Sequence, residues 1–393
     1  MIDVAAAIDK LKQSAPRPIP VRVALPDALG SRLSKDISAP LSMPLFDQSA
    51  VDGYVLMNGP FGGEELFEVT GEIKAGDPAP RPARRPVAYR IFTGAPVPKK
   101  AWCVVMQERV TLQEGAVHVP SEWQSHGANI RSKGSHFRKK DLLLKKGELL
   151  TPAAIGLLAS VGISSVEVFS KPRIGVVVTG NELTSPHKPL RPGKIFDSNS
   201  YFLAAALEAS SFESVLIRSA VDSRKALDEV LRKAIGKCDV IILTGGISVG
   251  KYDLVYEALR SAGVRELFYK VAQKPGKPLF AGKKGRKLFF ALPGNPAAVA
   301  VCFHRYVLPT LQVMSGQPSA FEGAFRLPLN SDYELKGDRD LFLRAFCVDN
   351  AVQLLSGQDS DNLFTFAQAN ALVYLSREQH FYRKGDMVEV IRL

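Results

Sequence analysis

Residues 239–253, DVIILTGGISVGKYD, restrict the fold of this chain more than any other stretch. Val240 to Thr244 form a continuous run of apolar or small residues bounded by glycine, the pattern of a short strand buried on both faces of a parallel sheet. Gly245, Gly246 and Gly250 then let the backbone turn sharply and expose its N–H groups, and Leu254 to Ser261 carry the apolar spacing of a helix. A strand, a glycine loop and a helix start, in that order, seat an anion, because the unpaired N–H groups at a helix start carry about half a positive elementary charge. A structural tight turn reads the same way, since GGxSxG is neither a P-loop nor a dinucleotide fingerprint.

The neighbouring sequence repeats this unit. IGVVVTGNEL (174–183) reads as a buried strand ending in a glycine loop that carries Glu182, followed by a proline-rich spacer over 185–193. Asp197 then starts a helix over 198–209, residues 215–220 form another strand, and Asp222 begins a helix over 224–235. Lys287 to Leu292 is a further strand ending in LPGNPAA, where Asn295 is placed to cap a helix that begins at Pro296. Strand and helix alternate throughout, which defines an α/β unit with a largely parallel sheet and helices on both sides.

The flanking regions have a different texture. The first residues, MIDVAAAIDKLKQSAP, place Val4, Ile8 and Leu11 on one helical face and mix both charge signs, so they read as a docking helix and not as a signal peptide. From residue 40 to residue 137 strands are short, prolines frequent and helices absent, the mark of a β-rich insertion. Its two unusual pieces are FDQSAVDGYVL (46–56), with Asp47, Ser49 and Asp52, and RIFTGAPVP (90–98), with Thr93. Turn chemistry and a polar site both account for them. After it, Thr151 and Pro152 are placed as the cap and first residue of a helix. The last 75 or so residues again read as short strands separated by turns, a small barrel or sandwich.

Composition narrows the functional classes. No apolar run approaches the roughly 18 residues that span a bilayer, so no membrane is expected. Cys103, Cys238, Cys302 and Cys347 are far apart and lie in apolar segments, which reads as reduced core cysteines in a cytoplasmic protein. The net charge of +12 concentrates at residues 81–90, 131–146 and 283–287. No aromatic residues interleave with these charges as stacking on bases requires, so they suit a small anionic ligand and not nucleic acid. The six histidines form no metal-ligand spacing and no Ser/His/Asp set, which argues against zinc chemistry and nucleophilic hydrolysis.

In an open α/β sheet, ligands lie beyond the carboxyl ends of the strands. Glu182, Asp222, residues 245–253 and residues 293–296 all follow strand ends and are expected to line one crevice. YKVAQKPGKP (269–278) adds a proline-stiffened loop with Lys270, Lys274 and Lys277, and lysine suits phosphate as a point charge. Carboxylates, lysines and glycine loops together fit an anionic substrate bridged by magnesium. Asp197, Asp222 and Asp253 also stand at helix starts, where aspartate serves as an N-cap worth about 1 kcal/mol, so each carries a structural alternative.

These residues resemble a known family. FDQSAVDGYVL, RIFTGAPVP, GANIRSKG, VVTGNEL, TGGISVGKYD, QKPGKP, LPGNP and LFTFAQANALV occur in the order of the motifs of molybdopterin molybdenumtransferase, the MoeA family, and the likeness extends to the catalytic half of gephyrin. The resemblance implies magnesium-dependent insertion of molybdate into adenylylated molybdopterin, with release of AMP. It implies four domains: an α/β molybdopterin-binding domain at 1–19 and 171–318, a linking domain at 20–39 and 138–170, the β-rich insertion at 40–137, and a C-terminal β-barrel at 319–393. It also implies a homodimer in which Asp52 and Thr93 reach in from the partner chain. Glu182, Asp222 and Asp253 would surround metal and molybdate, Lys270, Lys274 and Lys277 would hold phosphates, and Gly245, Gly246, Ser248, Gly250, Pro293 and Pro296 would shape the pterin pocket. Arg344 is carried over to the substrate site as well. A molybdopterin adenylyltransferase and molybdoenzyme-maturation proteins are the implied partners.

One departure bears on activity. After GANIRSKG the family carries a Glu-Asp pair, and this chain has Ser135 and His136. The loss of acidic groups leaves a second reading, a non-catalytic molybdopterin-binding or scaffold protein. It also introduces a histidine where the resemblance implies an acid.

Overall fold

Alternation of side chains along four strands builds the central sheet. In the computed structural model, which describes residues 1–218, 223–246, 254–317, 320–322 and 325–393, the strands Ile174–Val178, Ser214–Arg218, Val240–Thr244 and Lys287–Leu292 run parallel. Ile174, Val176, Val178, Val240 and Ile242 enter one core while Val177, Ile241 and Leu243 enter another, because successive side chains leave a strand on opposite faces. The first core is covered by Val4, Ala7, Ile8 and Leu11 of the N-terminal helix Val4–Ser14 and by Leu203 and Leu207 of Asn199–Ala209. The second is covered by Leu227 and Leu231 of Arg224–Lys237 and by Val255 and Leu259 of Leu254–Ser261. Each such valine, leucine or isoleucine contributes about 1.5–3 kcal/mol on full burial, which is why the sheet needs helices on both sides.

The strand order is Ser214–Arg218, Ile174–Val178, Val240–Thr244, Lys287–Leu292, Phe280–Lys284, Arg265–Tyr269, with the last two in an antiparallel hairpin. The chain leaves its first strand in one direction and returns past it in the other. The switch point therefore falls between Ile174–Val178 and Val240–Thr244, where such sheets leave a crevice.

Helix starts differ in detail from the sequence reading. The helix expected to begin at Asp222 is capped by Ser223, whose hydroxyl accepts from Ala226 N at 3.3 Å; Asp222 itself lies outside the described residues. Asn295 occupies the cap position of Pro296–Cys302, but its amide turns away and donates to Ser360 Oγ at 2.8 Å. Pro296–Met314 forms one 19-residue helical stretch, long and apolar enough to cross a membrane by length and composition, although no uninterrupted apolar run in the sequence signals it. Of its most apolar window 72% is buried inside the protein, as in the core helix of a globular domain.

The chain divides into two compact units, Met1–Ser34 with Val166–Leu393, and Lys35–Ser165. The first also holds the C-terminal strands, of which Asp340–Val348 pairs with Ala371–Leu375 and Ala351–Leu354, and Phe325–Pro328 with Met387–Arg392. One parallel bridge, Leu329 to Val352, joins the ends of this curled sheet. The second unit is built on a six-stranded sheet whose fully buried strand, Gly53–Met57, lies between Ala101–Met106 and Ala88–Ile91. Thr151 caps its helix Pro152–Ser160 as the sequence indicates, accepting from Ala154 N at 3.2 Å.

Candidate active site

A single edge of the α/β sheet gathers most of the described candidate residues. Val178, Thr244 and Leu292 are register partners across three strands, and Ala291, Phe280 and Tyr269 continue the row. The loops leaving this edge carry Glu182, Gly245 and Gly246, Pro293 to Pro296, and Lys270, Lys274 and Lys277. The strands that launch the glutamate loop and the lysine loop are four positions apart, roughly 19 Å at about 4.8 Å per strand. A ligand engaged by both must lie along the edge.

At the switch point two loops touch. A Cβ on Gly245 would lie 2.1 Å from the Thr179 carbonyl oxygen, and its φ of +88° is a left-handed value, so only glycine permits the approach. Beside this contact two buried polar atoms, Thr179 Oγ1 and Asn199 Oδ1, have no hydrogen-bond partner among the described residues. The Asn199 amide nitrogen donates to Thr244 Oγ1 at 3.0 Å and to Gly294 O at 2.8 Å, tying together the ends of two strands. A buried unpaired polar atom costs about 1–3 kcal/mol, and such atoms mark places where a ligand supplies the missing bond. Neither residue stood out in the sequence. Their signal was only a threonine just past a strand end and an asparagine at a helix start.

Over the end of the first strand lies a cleft of about 510 Å³ lined by Val178, Gly180, Asn181, Lys188, Arg191, Lys194 and Asp197, among others. The proline-rich spacer of the sequence therefore supplies cations to the site. Glu182 is exposed beside it, its carboxylate folded over Gly180, 2.7 Å from where a Cβ would stand. Asp197 is 5% exposed and accepts from Ser200 N at 3.0 Å and from Ser200 Oγ, so at this aspartate the capping role is the one built.

The lysine loop is fixed on several sides. Lys270 has a φ of +67°, and its ammonium stands 4.9 Å from the centre of the Tyr269 ring. The Lys277 carbonyl accepts from Val271 N and Leu279 N at 3.0 and 2.9 Å. Lys274 is exposed while Gln273, Pro275 and Gly276 around it are buried, and Gln273 and Lys274 pair in register with Asp340 and Leu341 of the C-terminal sheet.

Arg344 is 2% exposed, and its guanidinium donates to the carbonyls of Asp359 at 3.0 Å and Gly357 at 2.8 Å, while its Nε is buried without a partner among the described residues. Burial lowers its pKa, with Asp359 and Asp361 opposing. The turn it holds carries Ser360, whose carbonyl accepts from Ala297 N at 3.2 Å and whose hydroxyl accepts from Asn295. Arg344 thus touches the LPGNP turn through its neighbours.

Asp222, Ser248, Gly250 and Asp253 lie outside the described residues. Among the described residues no group of three His, Cys, Asp or Glu side chains forms a metal cluster, and two of the three expected ligands are not among them. The donors that are described at this edge, the Glu182 carboxylate, Asn199 Oδ1 and Thr179 Oγ1, are all oxygens, the donor chemistry magnesium takes.

In the second unit three sequence pieces meet at one corner. Ile130 pairs with Ser49 and Arg131 with Gln48, while Ser49 N donates to Ala95 O and Gly94 N to Ser49 O. Asp52 Oδ1 accepts from Thr93 N and Thr93 Oγ1, both at 2.7 Å, and these bonds, aided by Arg90, hold its carboxyl below the usual range. Gly53 serves close approach and not turn geometry, since a Cβ there would meet Val105 O at 1.9 Å. Ser135 and His136 are exposed, on a turn whose His136 N donates to Met43 O at 2.9 Å.

A doubly wound α/β domain with glycine-spaced loops, unsatisfied polar atoms and cations at its switch point is an anion-binding domain of the kind that holds a phosphorylated small molecule. Comparison with known proteins gives the family. Residues 2–162 match the MoeA N-terminal region (domain I and II), 175–313 the probable molybdopterin binding domain, and 326–393 the MoeA C-terminal region (domain IV). The chain is 32% identical to the molybdopterin molybdenumtransferase of Haemophilus influenzae over 99% of its own length and 98% of the relative's. It is 33% identical to that of a Nostoc species over 93% and 87%. The crystal structure of the molybdopterin biosynthesis MoeA protein of Pyrococcus horikoshii superposes with a TM-score of 0.82 at 27% identity, covering 100% of this chain and 99% of the other. The chain belongs to the MoeA family of molybdopterin molybdenumtransferases, enzymes of molybdenum cofactor biosynthesis.

Proposed function

We propose that the enzyme inserts molybdate into adenylylated molybdopterin in a magnesium-dependent reaction that releases AMP. The observation that carries this reading is that the glutamate loop, the Thr179–Gly245 contact and the lysine loop all leave one edge of the sheet. A pterin phosphate adenylate is long and anionic, as an edge with a carboxylate at one end and lysines at the other requires. Lys274 and Lys277 hold phosphate oxygens by charge, while Thr179 Oγ1 and Asn199 Oδ1 take up polar atoms of the ligand at the switch point. Glu182, with Asp222 and Asp253, would hold magnesium, which would lower the cost of the charge that develops as the phosphoanhydride opens.

In this reading the working form is a cytoplasmic homodimer, and the partner subunit's Asp52 and the partner subunit's Thr93 complete the site. The Asp52–Thr93 pair supports this, because a carboxylate kept ionised by two hydrogen bonds is suited to a cation-rich anion site. A molybdopterin adenylyltransferase supplies the substrate, and molybdoenzyme-maturation proteins receive the product.

The test is incubation of the purified protein with adenylylated molybdopterin, molybdate and magnesium, following AMP release and reconstitution of an apo-molybdoenzyme. Both are expected to proceed together and to stop when a chelator removes magnesium. AMP release without cofactor formation, or binding without either, would overturn the reading.

A further inference from the structure

Under the lysine loop lies a buried polar network that the reaction as described does not use. Gln273 is 0% exposed, and its amide nitrogen donates to the carbonyl of Pro275, two residues on, at 3.0 Å. Its amide oxygen accepts from the hydroxyl of Tyr306, also 0% exposed. Gln273 therefore folds back under its own loop, and Tyr306 locks it there. Gly276 completes the packing, since a Cβ would stand 2.7 Å from both Cys302 Sγ and Gln273 Nε2.

Tyr306 stands where the helix beneath the loop is locally widened. Phe303–Val307 form a π turn between Pro296–Cys302 and Leu308–Met314. Pro309 stands two residues beyond it and has no N–H for the carbonyl of Arg305, four residues back, where a wide turn gives room to a proline ring. The Tyr306 carbonyl accepts from Thr310 Oγ1 at 2.6 Å. Burial raises the tyrosine pKa well above its ordinary value, so the hydroxyl stays a neutral donor.

The same loop is stitched down elsewhere. Ile2 N donates to Lys270 O at 3.0 Å, Ala272 N donates to Ile2 O at 2.8 Å, and Asp340 N donates to Ala272 O at 3.0 Å. These bonds fix the loop's entry by backbone alone. The Lys277 carbonyl is held at the other end by Val271 N and Leu279 N, and between these fixed ends the Pro275–Gly276 turn has as its described side-chain anchors Gln273 and, through one long sulfur contact of 3.9 Å to the Gly276 carbonyl, Cys302.

We propose that Tyr306 and Gln273 are positioning residues, which act by holding the Pro275–Gly276 turn so that Lys274 and Lys277 present their ammonium groups in a fixed arrangement. The proposal rests on the reading that these lysines hold an anionic substrate. An ammonium on a flexible stem gains little from a phosphate unless its backbone is held, because ordering the chain at the moment of binding opposes the contact.

Tyr306→Phe keeps the ring and removes only the hydroxyl, and Gln273→Met keeps the shape and removes both polar atoms. Each is compared with Lys274→Ala and with the double variants, measuring KM and kcat for adenylylated molybdopterin and the hydrogen exchange of the Gly276 amide. Tyr306→Phe is expected to speed Gly276 exchange at least tenfold and to raise KM about fivefold with kcat within twofold, effects that shrink below twofold in the Lys274→Ala background. Gln273→Met is expected to do the same. If Gly276 exchange is unchanged, or if the KM effects multiply in the double variants, the positioning role is wrong. If Lys274→Ala itself leaves KM unchanged while exchange responds to Tyr306→Phe, the clamp exists but the lysine reading under it fails, and the proposal falls with it.

Discussion

Asp52 Oδ1 accepts both the backbone N–H and the hydroxyl of Thr93 at 2.7 Å, joining segments 41 positions apart. This pair lowers the carboxyl pKa, chiefly through the backbone bond and then the hydroxyl bond. Thr93→Val keeps the first bond and removes the second, so the titration midpoint of Asp52, followed by carbon-13 NMR, is expected to rise toward about 3.9. Because the folded pKa lies below the unfolded one, the pair's stabilising effect is present above the unfolded value and disappears as pH falls through the folded value. If Asp52 and Thr93 serve the site as proposed, loss of the hydroxyl lowers AMP release at least tenfold near neutral pH, where Asp52 is ionised in both proteins, so the loss reports orientation and not charge. An unmoved midpoint would show that the hydroxyl bond does not form in solution.

Gly245→Ala tests the contact at the switch point. The new methyl group would meet the Thr179 carbonyl at 2.1 Å in a backbone conformation that disfavours side chains, so one loop must withdraw. A stability loss of about 1–3 kcal/mol in urea unfolding is expected, together with a loss of molybdopterin binding greater than tenfold. Gly263→Ala serves as a control, because its φ of +76° carries similar strain while its nearest neighbour is a lysine ammonium 3.6 Å away. Equal binding losses in both variants would show that strain alone matters.

The sheet and its site edge were legible in the sequence for a physical reason. A strand buried on both faces, such as Val240–Thr244, must be apolar throughout, and glycine at its end is visible without coordinates. What escaped depended on distant partners. The resemblance alone places Arg344 at the substrate site, and its carbonyl acceptors at Gly357 and Asp359 belong to a turn that sequence spacing does not reveal. Asn295 and Ser223 show the same limit at helix starts, where several polar residues compete and tertiary contacts choose among them. The cationic cleft at Lys188, Arg191 and Lys194 read as a mere spacer because prolines dominate it.

Arg344→Met measures the structural role of this side chain. The substitution keeps much of the aliphatic volume but leaves the Asp359 carbonyl without its guanidinium donor and the Gly357 carbonyl with Asn362 alone, which costs about 1–3 kcal/mol and appears as a lower melting temperature. The Asn295 contact with Ser360 then loosens, so activity falls through the LPGNP turn. Ser360→Ala, which removes only that contact, is expected to reproduce part of the activity loss with little change in melting. Full stability in Arg344→Met alongside lost activity would instead identify a direct contact with substrate.

His136→Asp places an acid at the position where the motif resemblance expects one. The side chain is exposed, so the change should move stability by less than about 0.5 kcal/mol. Under the proposed function it lowers the magnesium concentration needed for half-maximal AMP release. No change in that concentration would remove the position from the site.

His304 predicts an acid-sensitive element in the core helix. Its ring lies 6.1 Å from Phe202 and 5.2 Å from Phe303 between centroids, and burial drives its pKa down to about 4. The unfolded chain binds this proton below about pH 6.5 while the folded chain does not until about pH 4, so stability must fall as pH drops through that window. The shift corresponds to a ceiling of about 3 kcal/mol, at about 1.4 kcal/mol per unit. Phenylalanine fits the same aromatic surroundings and cannot be protonated. In His304→Phe, the loss of unfolding free energy between about pH 6.5 and about pH 4 is therefore expected to be smaller than in the parent by on the order of 2 kcal/mol. Parallel curves for the two proteins would mean that this histidine is protonated in the folded state, and that the carboxylates alone set the acid limit.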